Sequence, residues 1–201
     1  MELLLATNNE HKHREFLRLF PGCRIVLPRD VGIAFDFEEG EESFLSNALG
    51  KARALFRLAA RPVMADDSGL TVDALAGAPG VYSARYGSVE RGRNLSAAER
   101  NAFLLERLAG VKERGAAFVC CLVLVLSEDR FLVAQETVRG LIAEAPRGAN
   151  GFGYDPLFLV PGTGKTIAEI PEVEKDAISH RGRAARRMAA LLDAAKEPPW
   201  T

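Results

Sequence analysis

The chain has 201 residues, of which 48% are hydrophobic and 26% are charged, and its formal net charge is −1. This length suggests one domain with enough chain to bury a sizeable core. The near-neutral balance gives no strong attraction for nucleic acid, whose binding proteins usually carry a marked basic excess. No apolar run approaches the roughly 20 residues of a membrane span, and the first residues lack the basic segment of a signal peptide.

The first third of the chain alternates between predicted strands and predicted helices. Residues 2–7 form an apolar run typical of a buried strand, and an amphipathic helix is expected over residues 11–20. A short strand over residues 23–27 and an acidic stretch over residues 35–42 follow. A longer helix is expected from near Ser43, its predicted N-cap, to about Ala60.

The rest of the chain continues this alternation. Residues 61–69 predict a short strand that ends in a tight turn at Ser68–Gly69, and residues 96–110 predict a helix. Two strands joined by a turn at residues 127–130 are expected next, followed by a glycine-rich loop and a last helix that starts around Ser179. The tail "KEPPWT" is expected to be loosely attached. The pattern favours an α/β fold with a mixed sheet.

Three cysteines, Cys23, Cys120 and Cys121, show no metal-ligand or redox spacing. The adjacent pair lies in an apolar run and is predicted to fill core space as small hydrophobic residues. We therefore expect a reduced, cytoplasmic setting.

Thr7, Asn8 and Asn9 stand where the first strand passes into the first helix. Such a junction exposes unpaired backbone N–H groups and the positive end of a helix dipole, which suits a phosphate. Lys12 lies about one turn further on. The glycines and the GK[ST] ending of a P-loop are missing. The alternative is that Asn9 only caps the helix and that Lys12 is a solvated surface charge.

The second helix carries Asn47 and Lys51, which are four residues apart and share one face. An amide and an ammonium on one face can bind a single anion, although polar pairs at this spacing are common on surface helices.

Asp66 and Asp67 follow an apolar strand, a common position for ligand-binding carboxylates in α/β sheets. Mg²⁺ prefers one or two carboxylates, together with water and phosphate oxygens. Because neighbouring residues of an extended chain point in opposite directions, one aspartate is expected to face a site while the other braces the turn. The alternative is a turn with an Asx cap and no ligand.

The glycine-rich loop sets Phe152 between two glycines, with Tyr154 and Asp155 close behind. An aromatic ring presented in this way can stack on a base, and Asp155 can accept from ring N–H groups. The alternative is a bend whose aromatic residues pack in the core. Further on, Lys175, Ser179, His180 and Arg181 gather near a helix start, where cations suit phosphates or purine acceptors. His180, taken alone, is more typical of a surface residue.

Taken in order, five segments resemble the non-canonical purine NTP pyrophosphatases, the inosine triphosphatase or dITP/XTP pyrophosphatase family. They are "LLLATNNEHKHREF", "SFLSNALGKA", "ADDSGLTVDALAGAPGVYSARY", "GFGYDPLF" and "EKDAISHRG". The resemblance covers almost the whole chain. It implies a single domain over residues 1–201, with a mixed central sheet flanked by helices and an active site in a cleft between two lobes. It also implies a cytoplasmic homodimer.

The family resemblance implies hydrolysis of ITP, dITP or XTP to the monophosphate and pyrophosphate, with Mg²⁺ as cofactor. Asp67 would be the general base and a metal ligand, and Lys51 would reach the triphosphate. Ser68 would contact substrate, Phe152 would stack on the purine, and Arg181 would lie near its 6-oxo group. The complete set of substrate-binding residues implied in this way is Thr7, Asn8, Asn9, Glu10, His11, Lys12, Lys51, Ser68, Phe152, Gly153, Tyr154, Asp155, Lys175, His180 and Arg181.

The acidic stretch departs from the family pattern, because Gly40 directly follows Glu39. Counting back from Phe44 makes Glu39 the second metal ligand, with Glu38 and Glu41 as possible substitutes. Two rival hypotheses remain open: a nucleotide sensor without catalysis, and a phosphatase that releases orthophosphate.

Overall fold

The computed structural model describes residues 1–40 and 42–195, so Glu41 and the predicted loose tail "KEPPWT" lie outside the described residues. The described residues form six strands and five α-helices. The strands are β1 (Glu2–Leu5), β2 (Arg24–Val26), β3 (Val63–Val72), β4 (Gly115–Ser127), β5 (Arg130–Ile142) and β6 (Phe158–Leu159).

The helices are α1 (Glu10–Leu19), α2 (Phe44–Ala59), α3 (Ala97–Arg107), α4 (Glu172–Ile178) and α5 (His180–Ala194). The side chain of Ser43 accepts from the Ser46 amide, which confirms the predicted N-cap of α2. Ser96 and Glu99 form a reciprocal capping box at the start of α3. The short helix α4 and the strand β6 were not predicted.

The strands form one sheet in the order β2-β1-β3-β4-β5-β6. β1 pairs in parallel with both β2 and β3, whereas β5 and β6 pair antiparallel. A two-residue turn joins β4 to β5, as expected from the sequence. The predicted mixed α/β sheet is therefore confirmed, whereas the cleft between two lobes stays a prediction.

The prediction of a turn at Ser68–Gly69 was wrong. Both residues lie inside β3, which continues to Val72. The strand continues because Leu70 and Val72, the next two residues of one face, are fully buried and hold the backbone extended. A glycine within a strand is compatible with pairing, although it is more often found at turns.

The chain divides into two compact units. Unit 1 comprises Met1–Asp67, Cys120–Glu136 and the segment from Arg181 onward, and unit 2 comprises Ser68–Val119 and Thr137–His180. Because the boundaries fall inside β3, β4 and β5, each of these strands contributes residues to both units.

Unit 1 has two hydrophobic cores on opposite faces of its strands. Leu3 and Leu5 of β1 belong to the core that includes residues of α1 and α5, whereas Leu4 belongs to the core that includes residues of α2. Cys120 and Cys121 are buried in these two cores, which confirms the prediction that they fill core space. The alternation along each strand thus presents side chains to helices on both faces.

Unit 2 has one core, which includes Leu70, Leu104, Tyr154, Leu157 and Phe158. The phenol of Tyr154 is buried in it and donates to the Ser83 carbonyl oxygen at 3.0 Å. No helix within the part of the chain that the structure describes is long and apolar enough to cross a membrane.

Candidate active site

The two adjacent aspartates of β3 lie on opposite faces of the strand, as expected for neighbouring residues in extended chain. Asp66 alternates with Met64, which belongs to the core of α1 and α5. Asp67 alternates with Ala65, which belongs to the core of α2. Both carboxylates are buried, with exposed fractions of 1% for Asp66 and 4% for Asp67.

Asp66 is surrounded by cations. Its Oδ2 lies 3.1 Å from Lys12 Nζ and 3.3 Å from a terminal nitrogen of Arg181. The other terminal nitrogen of Arg181 donates to Glu15 Oε2 at 2.6 Å. Burial alone would raise the pKa of Asp66, but the positive charges of Lys12, Arg181 and Lys51 outweigh it and hold this pKa well below its ordinary value. Asp66 is therefore an ionised structural anion.

Asp67 has a different environment. The side-chain amide of Asn47 in α2 donates to its Oδ2 at 2.8 Å. Burial, the largest influence, raises the pKa of Asp67, and the negative charge of Glu39 adds to the rise. Lys51 and the Asn47 hydrogen bond oppose this change without cancelling it. A carboxylate whose pKa is raised toward neutrality is a better proton acceptor, as a general base requires.

Glu39 is the member of the acidic stretch that reaches this carboxylate. Its Oε1 accepts from Lys51 Nζ at 2.5 Å, and the same ammonium donates to the Asp66 carbonyl oxygen at 2.8 Å. Glu38, in contrast, is exposed. Glu41 lies outside the described residues.

Contacts with α2 fix the register of the acidic stretch. Asn47 donates to the Gly40 carbonyl oxygen at 3.3 Å. The ring of Phe37 lies so close to Gly50 that a Cβ at this position would be 2.7 Å from it, so only glycine permits the contact. The displaced glycine of the sequence pattern is thus accommodated while Glu39 keeps its place beside Lys51.

We call the seven charged residues of this region the charge cluster; it consists of Lys12, Glu15, Glu39, Lys51, Asp66, Asp67 and Arg181. With every group ionised, three cations and four anions leave it a net charge of −1. All seven residues belong to unit 1.

The turn before α1 confirms one part of the alternative stated from the sequence and contradicts the other. Asn9 caps the helix, because its Oδ1 accepts from the amides of His11 and Lys12. Lys12, however, is not a solvated charge, since it is paired with Asp66. Thr7 Oγ1 accepts from the Asn9 amide at 3.1 Å, and Asn8 donates to the Phe35 carbonyl oxygen at 3.3 Å.

Two further residues predicted at this turn lie on the surface. Glu10 is exposed and pairs with Arg29 at 2.5 Å. The Nδ1 atom of His11 lies 3.0 Å from a guanidinium nitrogen of Arg14. Neither residue belongs to the charge cluster.

Residues 149–155, which we call the aromatic loop, belong to unit 2. Asp155 Oδ2 accepts from the Phe152 amide and from Lys175 Nζ, both at 2.8 Å. The Lys175 ammonium lies 5.0 Å from the centre of the Phe152 ring. Gly151 has a φ of +73°, and a Cβ there would lie 2.1 Å from Asp155 Oδ2. Asp155 therefore braces the loop and the Lys175 ammonium.

The remaining predicted residues are distributed over both units. The ring of His180 stacks on Phe118 in unit 2, with centroids 4.7 Å apart, and His180 is buried rather than a surface residue. Lys175 lies in α4, not at the start of the last helix. Arg181 bonds to Glu15 and Asp66 of unit 1, and Ser68 is a partly buried residue of β3.

Sequence reasoning missed Glu15, and it missed two contacts of residues that it did single out: that of Asp66 with Arg181 and that of Asn47 with Asp67. The spacing of Asn47 and Lys51 placed them on one face of α2 but did not indicate Asp67 as the partner of Asn47. The Arg181–Glu15 pair joins residues 166 positions apart, and nothing local in the sequence indicates it.

No group of three or more His, Cys, Asp or Glu side chains arranged to hold a metal occurs among residues 1–40 and 42–195. Asp67 and Glu39 are two carboxylates that interact electrostatically, Asp67 buried and Glu39 half-buried. This set fits Mg²⁺, which takes few protein ligands and fills its shell with water and phosphate oxygens.

The chain is similar to known proteins over almost its whole length. The model of the Ham1 family matches residues 3–191 of the chain. A dITP/XTP pyrophosphatase of Treponema denticola is 53% identical over 184 residues, which cover 92% of this chain and 94% of that protein. A dITP/XTP pyrophosphatase of Thermus thermophilus is 47% identical over 203 residues, which cover 99% and 94%.

The fold agrees with a solved structure as well. The Ham1 protein of Staphylococcus aureus superposes with a TM-score of 0.86 at 38% identity, covering 98% of this chain and 100% of that one.

Proposed function

We propose that this chain, which belongs to the Ham1 family, hydrolyses the non-canonical purine nucleotides ITP, dITP and XTP to the monophosphate and pyrophosphate. The observation that carries the proposal is Asp67, a buried carboxylate with a raised pKa that Asn47 orients beside Glu39 and Lys51. A nucleotide sensor has no need of such a proton acceptor.

Asp67 is the general base in this mechanism. It accepts a proton from the water that attacks the α-phosphorus, the bond to the bridging oxygen breaks, and pyrophosphate leaves. Asn47 donates to Oδ2 of Asp67 and so orients this carboxylate. The raised pKa strengthens Asp67 as a base.

We propose Asp67 and Glu39 as the protein ligands of Mg²⁺. When bound, Mg²⁺ neutralises charge on the phosphates. The charge cluster supports this assignment, because its net charge of −1 would repel a triphosphate and a divalent cation reverses the sign. The Lys51 ammonium holds the Glu39 carboxylate and the Asp66 carbonyl group in place. A contact between Lys51 and a phosphate would be made in addition to these two hydrogen bonds.

The phosphates bind at the turn before α1. The hydroxyl and amide side chains of Thr7, Asn8 and Asn9 supply donors there, and Lys12 supplies a positive charge. Glu10 is proposed to contribute its backbone N–H group, and His11, whose own amide donates to the Asn9 cap, is proposed to lie beside the phosphates. Asp66 orients Lys12, since its carboxylate lies 3.1 Å from the ammonium.

The base binds at the aromatic loop. Phe152 stacks on the purine, Gly153 and Tyr154 shape the loop, and Asp155 braces it together with Lys175. His180, which stacks on Phe118, is proposed as a further contact of the base. Ser68 contacts substrate from β3. Arg181 is proposed near the 6-oxo group, and its bonds to Glu15 and Asp66 restrict it to a fixed orientation. Donors directed at an oxo group are left unpaired by the amino group of ATP, which disfavours ATP.

Product analysis tests this function. The protein is incubated with ITP or ATP in the presence of Mg²⁺, and pyrophosphate and orthophosphate are measured separately. We expect IMP and pyrophosphate from ITP, with little turnover of ATP. Release of orthophosphate with IDP would indicate the phosphatase hypothesis, and tight binding of ITP without products would indicate the sensor. We also propose that the protein is a cytoplasmic homodimer, which light scattering after gel filtration tests for the oligomeric state.

A further inference from the structure

Asn101 occupies an unusual position in α3. It lies in the interior of the helix, where asparagine is less favourable than most residues, and its side chain is 5% exposed. An exposed or capping asparagine would need no explanation. A buried one within a helix indicates that its amide has a specific partner.

The partner is the backbone of the aromatic loop. Asn101 Nδ2 donates to the Gly153 carbonyl oxygen at 3.1 Å, across 52 residues of sequence. Its Oδ1 is buried, and no donor among the described residues lies within hydrogen-bond distance of it. This side chain therefore satisfies the loop carbonyl while leaving its own acceptor unpaired.

The other side chains that hold the loop bind groups different from the Gly153 carbonyl. Asp155 binds the Phe152 amide on one side of the aromatic ring, and the Tyr154 phenol binds the Ser83 carbonyl. The Gly153 carbonyl belongs to the peptide between Gly153 and Tyr154, the second peptide after Phe152, and Asn101 is the side chain that binds it. The loop is thus held at the Phe152 amide by Asp155 and one residue further on by Asn101.

We infer that Asn101 is a positioning residue for base recognition: its amide holds the Gly153 peptide and thereby orients the Phe152 ring toward the purine. This inference rests on the proposed function of the loop. The hydrogen bond to Gly153 stabilises folding, whereas the unpaired buried Oδ1 weakens it, so the two effects oppose each other in the free energy of unfolding. Asparagine therefore gives little net gain in stability here, and its presence indicates an advantage in binding.

The test measures binding of the base-containing product, IMP, separately from binding of pyrophosphate. In Asn101→Leu, we expect IMP to bind about fivefold more weakly, the effect of one lost hydrogen bond on the loop, while inhibition by pyrophosphate stays unchanged. Thermal unfolding is expected close to the wild-type temperature, because Asn101→Leu removes one unpaired acceptor and leaves the Gly153 carbonyl without its donor. Asn94→Leu is the matched control, because Asn94 is an exposed residue of the same unit, and it is expected to leave both ligands unaffected.

Hydrogen exchange gives a second measurement that needs no ligand. The amides of the aromatic loop should exchange faster in Asn101→Leu than in the wild-type protein, whereas those of α1 and β3 should not change. Normal IMP affinity with unchanged loop exchange in a folded variant would overturn the inference, as would an equal loss of IMP and pyrophosphate binding. If Asn101→Leu does not fold, Asn101→Ala carries the same expectations for ligand binding and loop exchange, with a lower unfolding temperature because it leaves a cavity.

These outcomes are distinct from a failure of the proposed function. If the wild-type protein did not release pyrophosphate from ITP, the proposed function would fail, and the exchange measurement would still test whether Asn101 holds the loop. If the wild-type protein is active and the variant shows none of the expected changes, only the role of Asn101 fails.

Discussion

The charge cluster of unit 1 and the aromatic loop of unit 2 are ordered by different kinds of interaction. In the charge cluster, ion pairs such as Arg181–Glu15 and Lys12–Asp66 fix side chains that come from distant parts of the chain. In the aromatic loop, mainly hydrogen bonds to backbone groups and glycine conformations fix the chain itself. Binding of phosphates and a metal ion requires charged groups at fixed positions. Stacking requires an aromatic ring at a fixed distance from the base and parallel to it.

This difference predicts how each region responds to substitution. Removing one charge from the charge cluster leaves its partners buried without compensation, which affects folding as well as chemistry. Removing a contact from the aromatic loop is expected to alter nucleotide binding more than stability. The following four predictions run from the largest expected effect to the smallest.

Asp66→Asn tests whether Asp66 is mainly structural. The change leaves the buried cations of Lys12 and Arg181 with one fewer anion, and we expect a loss of about 3–5 kcal/mol in the free energy of unfolding at pH 7. Chemical denaturation with a metal chelator present measures it.

The pH dependence of the same variant supplies the control. The folded-state pKa of Asp66 lies below its unfolded value, so the stability it contributes is present above pH 4 and is lost as the pH falls through the folded pKa. The difference between the wild-type protein and Asp66→Asn should therefore shrink in acid. A difference that is independent of pH would contradict the ionised Asp66.

Asp67→Asn is expected to lower turnover of ITP by about 100-fold or more, because the general base is lost. Its effect on stability should have the opposite sign to that of Asp66→Asn. The pKa of Asp67 is raised on folding, so its ionised form weakens folding as the pH rises through that pKa, and a neutral amide removes this effect. Steady-state kinetics and thermal unfolding at pH 7 measure both. Near-normal turnover would remove Asp67 from the mechanism.

Phe152→Ala tests the aromatic loop. Stacking of a base on an aromatic side chain contributes about 1–3 kcal/mol, so KM for ITP should rise about 5- to 150-fold, with a smaller change in kcat and in unfolding temperature. Phe152→Tyr keeps the ring and is the matched control. If Phe152→Ala unfolded the protein while Phe152→Tyr kept normal KM, the ring would be a core residue rather than a stacking platform.

Glu39→Gln tests the second metal ligand. We expect the Mg²⁺ concentration for half-maximal activity to rise about tenfold, and activity to recover in part at high Mg²⁺. Glu38→Gln is the control, since Glu38 is exposed one residue away. Equal effects of the two substitutions would show that the acidic stretch acts through general charge and not through one ligand.

The sequence allowed the mixed α/β fold to be predicted because hydrophobic periodicity and turn residues are local. The cap at Ser43 and the β4–β5 connection follow from such local patterns. The turn expected at Ser68–Gly69 was wrong because burial of Leu70 and Val72 in unit 2 extends β3 past a glycine. The end of β3 is thus set by tertiary packing, which a local sequence pattern does not contain.

In the candidate site, too, local patterns in the sequence predict some features and tertiary contacts decide others. The residue types of Asp67, Lys51 and Phe152 stand in motifs that point to a nucleotide, so these positions were identified from the sequence. Their partners were not, because the pairs Arg181–Glu15 and Asn101–Gly153 depend on chain segments 166 and 52 residues apart. Partner contacts also change the expected roles: Lys12 proved to be paired with Asp66, and Asp155 with the backbone of its own loop.

Hydrolysis of ITP in water enriched in ¹⁸O tests the central claim most directly. If Asp67 activates water for attack on the α-phosphorus, one ¹⁸O atom enters IMP at each turnover and none enters pyrophosphate, and Asp67→Asn slows this labelling in proportion to turnover. Mass spectrometry of both products measures the label. Label in pyrophosphate, or labelled orthophosphate together with IDP, would contradict the account.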